Sequence, residues 1–140
     1  MNIKSILALL PVAVVVALSL GVPAANAENF NGRCENNEIC FYKDKNFVAG
    51  IMDFSAGRNI GFLGNFNYQF CGSSCNGHDS ASSLRVNGTR DVVLYKDINC
   101  AGNSKRLSQD GPGSRANLAI DAWDDGSGGV NDEIDSLCWR

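Results

Sequence analysis

The chain has 140 residues, with 12 basic and 15 acidic side chains and a formal net charge of −3. That balance excludes nucleic acid as a partner, because nothing offsets phosphate repulsion. The longest basic run, Lys105-Arg106, is a solvated strand end rather than a patch.

The amino terminus reads as a targeting segment. Lys4 precedes an almost wholly apolar stretch from Ile6 to Val22, and Ala25-Asn26-Ala27 offers small residues where a signal peptidase cuts. Pro11, Gly21 and Pro23 argue against a permanent anchor. Residues 1–27 are therefore expected to be a signal peptide, cleaved before Glu28, with no stable membrane insertion afterwards. Residues 28–140 then form one small exported domain with 11 basic and 15 acidic groups.

All six cysteines (Cys34, Cys40, Cys71, Cys75, Cys100 and Cys138) follow the expected cleavage point, so an exported domain should hold them as three disulfides. Fifteen pairings are open. Short intervals favour Cys34–Cys40 and Cys71–Cys75 as local staples, leaving Cys100–Cys138. A zinc site using Cys71, Cys75 and His78 is the competing reading, but no second close Cys/His pair completes tetrahedral ligation.

One segment occurs twice. Phe41-Tyr42-Lys43-Asp44-Lys45-Asn46 reappears as Leu94-Tyr95-Lys96-Asp97-Ile98-Asn99, and Asp79, Ser83 and Leu84 map onto Asp132, Ser136 and Leu137 by the same shift. The constant offset implies two copies of one supersecondary unit. Ile39 to Tyr42 and Val92 to Tyr95 are β-branched and aromatic runs of strand length. Met52-Asp53-Phe54, Leu84-Arg85-Val86, Arg106-Leu107-Ser108 and Leu137-Cys138-Trp139 alternate at period two. The expected core is Phe41, Phe47, Phe54, Leu84, Val86, Leu94, Leu107, Leu137 and Trp139, with one or both tyrosines of the repeats. Gly50 and Gly102 suit bends at positive φ, and Asn87-Gly88 reads as a turn between the copies. A short helix is possible only within Ser114 to Trp123. Phe62, Phe66, Tyr68 and Phe70, in the glycine-rich region 57–77, are expected to fold back on the core.

The repeated pieces resemble the βγ-crystallin Greek key. Tyr95-Lys96-Asp97-Ile98-Asn99-Cys100-Ala101-Gly102 follows its aromatic-x4-aromatic-x-Gly pattern, with Cys100 in the second aromatic place. In the first copy Ala49 stands where the glycine belongs and Gly50 follows, so an altered hairpin or one-residue bulge is expected there. The resemblance implies an all-β, βγ-crystallin-like sandwich of two Greek-key motifs, one at about residues 38–87 and one at about 91–140. The later halves, His78-Asp79-Ser80-Ala81-Ser82-Ser83 and Asn131-Asp132-Glu133-Ile134-Asp135-Ser136, resemble the microbial calcium-binding stretch (Asn/Asp)-(Asn/Asp)-x-x-(Ser/Thr)-Ser. Each agrees at three of four constrained positions.

That resemblance implies Asp79, Ser82, Asn131, Asp132 and Asp135 as metal-binding residues, with Ca2+ as the ion. Carbonyls around Lys45 and Ile98 would complete the oxygen shell that this hard cation takes. Ser83 and Ser136 would hydrogen-bond within the loops instead. The chain is also similar to the secreted peptidase inhibitor family I36, through the early pair Cys34 and Cys40. The reading is a secreted, non-catalytic, calcium-binding and disulfide-stabilised domain. The alternative is an I36-type inhibitor of a secreted metallopeptidase, presenting the segment Asn59 to Tyr68 or the loop Asp110 to Ser114. Enzyme readings fare badly: His78 is the only histidine, and no nucleophile-elbow pattern is present.

Overall fold

The computed structural model describes residues 30–72, 75–88, 90–108 and 113–140. The expected signal peptide lies outside the described residues, as do Asp110, Gly111 and Pro112 of the second candidate inhibitory loop. The strands are β1 (Glu38–Asp44), β2 (Val48–Ser55), β3 (Ser83–Asn87), β4 (Val92–Asp97), β5 (Ala101–Leu107) and β6 (Ser136–Trp139). They form two antiparallel sheets of matching order, β2-β1-β3 and β5-β4-β6. The helix considered within Ser114 to Trp123 reduces to a 3-10 turn at Leu118–Ile120; similar turns lie at Leu63–Asn65 and Ile98–Cys100.

Each copy contributes three laddered strands, and its remaining segment crosses to the other copy's sheet. Ile60 of the first copy exchanges both backbone bonds with Leu137 in β6, each at 3.0 Å. Arg115 of the second exchanges both with Leu84 in β3, at 2.8 and 2.9 Å. The hairpin tips follow the same rule: Asn46 N–H donates to the Ala116 carbonyl, and Asn99 N–H to the Gly61 carbonyl, both at 2.7 Å. The two units are interleaved rather than merely stacked, so neither sheet is complete without the other unit.

Alternation sends Ile39, Phe41, Met52, Phe54, Leu84, Leu94, Leu107 and Leu137 into the shared core. The loops add Ile60, Leu63, Tyr68, Leu118, Trp123, Val130 and Ile134. Phe47 departs from expectation. It lies half-exposed against Tyr42, with ring centroids 5.6 Å apart and the Arg85 guanidinium 4.2 Å from its ring. Tyr42 and Tyr95 share the outward parity of their strands and are only partly buried, and Val86 packs at the edge of the core. Of the four aromatics in region 57–77, Tyr68 is buried and Phe66 packs on the core, whereas Phe70 is 81% exposed.

The outer face of the first sheet holds two buried carboxylates that alternation alone would have left in solvent. Asp53 accepts the N–H groups of Asn31 and Gly32 at 2.8 and 2.9 Å, and Cys34 is bonded to Cys40, so residues 30–34 lie over this face. Glu38 accepts the Glu35 N–H at 2.7 Å through one oxygen, and its other oxygen is buried without a partner.

The altered hairpin or one-residue bulge expected in the first copy does not set it apart from the second. Both hairpins shift register at the same place, between Tyr42 and Asp44 and between Tyr95 and Asp97. Asn46, Phe47 and Ala49 have φ of 61°, 63° and 63°, matching Asn99, Cys100 and Gly102 at 58°, 59° and 74°. Ala49 therefore takes a left-handed conformation that the second copy assigns to glycine, at a steric cost of about 1 kcal/mol. Asn87 and Gly88, by contrast, are not among the positive-φ residues.

Ala49→Gly should stabilise the fold by roughly 0.5–1 kcal/mol in urea titration, the relieved strain outweighing the entropy glycine adds to the unfolded chain. Burial holds the Glu38 carboxyl above its ordinary range against the opposing Glu35 hydrogen bond, and the charges of Asp53 and Glu35 reinforce the rise. The folded state thus keeps this proton more tightly than the unfolded chain, so Glu38 lowers stability as pH climbs beyond the ordinary carboxyl range. Glu38→Gln, which mimics the protonated form, should melt higher than the wild type near pH 7 and show a smaller advantage near pH 4.

A candidate cation site where the acidic loops cross

The acidic loops run directly into β3 and β6, which places their sixth positions at the sheet edges. Ser83 Oγ donates to the Asp44 carbonyl at 2.6 Å and accepts the Phe47 N–H at 3.0 Å. Ser136 Oγ repeats both bonds, with the Asp97 carbonyl at 2.6 Å and the Cys100 N–H at 2.9 Å. These hydroxyls tie hairpin tips. At the second positions, Asp79 and Asp132 take φ of 43° and 54°, a conformation that short polar side chains tolerate best.

Crossing of the units brings the fifth position of each loop to the other loop's opening residues. In one corner Ser82 Oγ lies 3.2 Å from Asp132 Oδ1, and Asn131 Nδ2 donates to Asp132 Oδ2 at 2.6 Å. The side-chain oxygen Asn131 Oδ1 is buried without a hydrogen-bond partner. Asp132 N–H donates to the Ala81 carbonyl at 3.1 Å, which fixes one loop against the other. The side-chain oxygens of Ser82, Asn131 and Asp132 in this corner are of the type a hard cation takes.

The opposite corner holds His78, Asp79 and Asp135, whose ligand atoms lie within 4.8 Å of one another. His78 Nδ1 is 3.2 Å from Asp79 Oδ2, and His78 Nε2 is 3.6 Å from Asp135 Oδ1. Burial pushes the Asp135 carboxyl above its ordinary range, Asp79 adds to the rise, His78 opposes it and Asp97 adds again. Lys96 holds Glu133 at 2.7 Å, so that carboxylate is engaged outside the cluster.

All five residues implicated by the sequence motif thus lie in the crossing loops, divided between two corners. His78, which the sequence offered only as a mismatched first motif position and as a companion to Cys71 and Cys75, joins Asp79 and Asp135 here. His78 and Asp79 occupy a turn, where their side chains meet. The imidazole faces carboxylates on both sides rather than a hydroxyl nucleophile. Cys71 and Cys75 are bonded to each other, which removes the sulfur-based zinc reading; Cys100–Cys138 completes the three disulfides.

The model of peptidase inhibitor family I36 matches residues 27–107, more than half of the chain. The chain belongs to that family. Its matched region spans the first unit and the second hairpin, and stops short of the second acidic loop. No curated protein matches this I36 member. Among solved structures it is similar to a βγ-crystallin from Ciona intestinalis, with 19% identity, 74% of this chain and 99% of that one covered, and a TM-score of 0.50. A structure described under the evolution of the eye-lens βγ-crystallin domain fold gives 22% identity, coverages of 78% and 90%, and a TM-score of 0.55. A βγ-crystallin domain from Clostridium beijerinckii gives 16% identity, coverages of 74% and 97%, and a TM-score of 0.50. At these identities the likeness establishes the fold: an all-β βγ-crystallin-type sandwich.

Proposed function

We propose that this I36-family protein is a secreted, non-catalytic βγ-crystallin-type domain that binds one calcium ion where its acidic loops cross. The observation that carries this reading is the corner of Ser82, Asn131 and Asp132, drawn from both units, with the side-chain oxygen Asn131 Oδ1 buried and unpaired. Asp132 supplies the charge, and Ser82 and Asn131 supply neutral oxygens. Asp79 and Asp135, from the neighbouring corner, add negative potential. Because the corner exists only when the units interleave, calcium would stabilise the folded state by mass action, by about 2.7 kcal/mol at a hundredfold excess over Kd.

Calorimetric titration into chelator-treated mature protein should give saturable heat near one equivalent, with a rise in melting temperature. Asp132→Asn should weaken binding at least tenfold, and Ser82→Ala less. No saturable heat and no calcium-dependent melting shift would refute the calcium site.

A second reading, inhibition of an extracellular peptidase, is favoured by the family match and by one local feature. Of the two segments expected to present themselves, Asn59 to Tyr68 is occupied in the interleaved core through Ile60, Leu63 and Tyr68. Phe70 instead stands 81% exposed at φ 59°. On one side Gln69 exchanges both backbone bonds with Ile51 at 3.0 and 2.8 Å, and on the other Cys71 is bonded to Cys75. A large apolar side chain on so constrained a backbone can enter a partner's pocket with little ordering cost. Against a panel of secreted metallo- and serine peptidases, Phe70→Ala should raise the inhibition constant at least tenfold while calcium binding is unchanged. Retention of full inhibition by that variant would exclude Phe70 as the anchor, and no stoichiometric inhibition by the wild type across the panel would exclude the inhibitor reading.

A further inference from the structure

We infer that the His78 corner is a second metal site, distinct in chemistry from the calcium corner, in which His78 Nε2 and Asp135 bind zinc or a neighbouring first-row divalent ion and Asp79 orients the imidazole. The gap between His78 Nε2 and Asp135 Oδ1 is 3.6 Å, too long for a hydrogen bond. Asp135 Oδ1 is nonetheless buried and has no hydrogen-bond partner. Two ligands held about 2.1 Å from a tetrahedral zinc stand about 3.4 Å apart, so the gap matches a ligand pair.

The surroundings fit that assignment. Metal-binding histidines characteristically give their other ring nitrogen to a carboxylate, which sets the tautomer and aims the free lone pair at the ion. Asp79 Oδ2, 3.2 Å from Nδ1, stands in that position. The Phe62 ring meets the imidazole edge to face, with centroids 5.3 Å apart and planes at 83°, and so restrains its rotation. Asp135 is anchored through its backbone: its N–H donates to the Tyr95 carbonyl at 3.0 Å, and its carbonyl accepts the Leu63 N–H at 2.7 Å. His78 is half-exposed, which leaves the remaining coordination positions to water. An imidazole nitrogen is a poor ligand for calcium but a preferred one for zinc, copper and nickel. The inference does not depend on the calcium reading, since the two corners share no side-chain ligand.

The test uses disulfide-intact mature protein without a histidine tag, titrated with zinc chloride by calorimetry and by NMR of its one imidazole. Zinc should bind saturably at one equivalent and shift the His78 ring resonances. His78→Ala should reduce zinc affinity at least tenfold and leave calcium heat unchanged. Asp79→Asn should weaken zinc tenfold or more while the fold, read by its melting temperature, is retained. Absent saturable zinc heat, zinc binding unaffected by His78→Ala, or stoichiometric displacement of zinc by calcium would overturn the second site. Loss of calcium binding with zinc binding intact would refute only the calcium corner.

Discussion

The structure depends on two serine hydroxyls. Ser83 and Ser136 each bond both sides of a hairpin tip from the first residue of a last strand. That contact presses the hairpin down over its own sheet and leaves the tip's next N–H, from Asn46 or Asn99, pointing at the other unit's crossing segment. Each hydroxyl satisfies one backbone donor and one acceptor that would otherwise be stranded in a partly buried place, where an unpaired group costs about 1–3 kcal/mol. Because the crossing segments lead into the buried Leu63 and Leu118, the tip, the opposite sheet and the core close together.

Covalent links act on different parts of this arrangement. Cys100–Cys138 joins the second hairpin tip to β6 across 38 residues, and a loop of that length removes on the order of 4 kcal/mol of unfolded-state entropy in the chain-entropy picture. Cys34–Cys40 closes only a short loop and secures the segment over Glu38 and Asp53. The first unit has no covalent link at its hairpin tip: Phe47, in the place of Cys100, packs against Tyr42 and Arg85, and the Ser83 and Asn46 hydrogen bonds hold the rest. The strained Ala49 lies in this less tethered hairpin.

Much of the fold was legible because its signals are short-range and repeated. The fixed offset between copies reappears in strand register, in left-handed residues and in the serine bonds. What sequence could not display was the interchange, since isolated bridges at Ile60 and Arg115 leave no alternating run to read. The same limit hid Trp123, Val130 and Ile134, core residues set in loops whose glycines and acids look solvated. The burial of Asp53 and Glu38 was invisible for a related reason: period two predicts which face a side chain takes, but not whether another segment covers that face.

The interchange also changes what the motif's imperfections mean. Copy by copy, each acidic loop looks equally degraded, with one departure apiece: His78 at the first position of one and Asp135 at the fifth of the other. In space the first position of each loop stands near the fifth position of its counterpart. Both departures consequently fall in one corner, and both conforming residues, Asn131 and Ser82, fall in the other. Two motifs with one departure each thus place both matching first and fifth positions in one corner and both departures in the other. A random loss of ligands would have no reason to supply a nitrogen donor, an unpaired buried carboxylate oxygen and an orienting carboxylate within reach of one another. That conjunction is why the altered corner reads as a site of different chemistry rather than as the remnant of a calcium site.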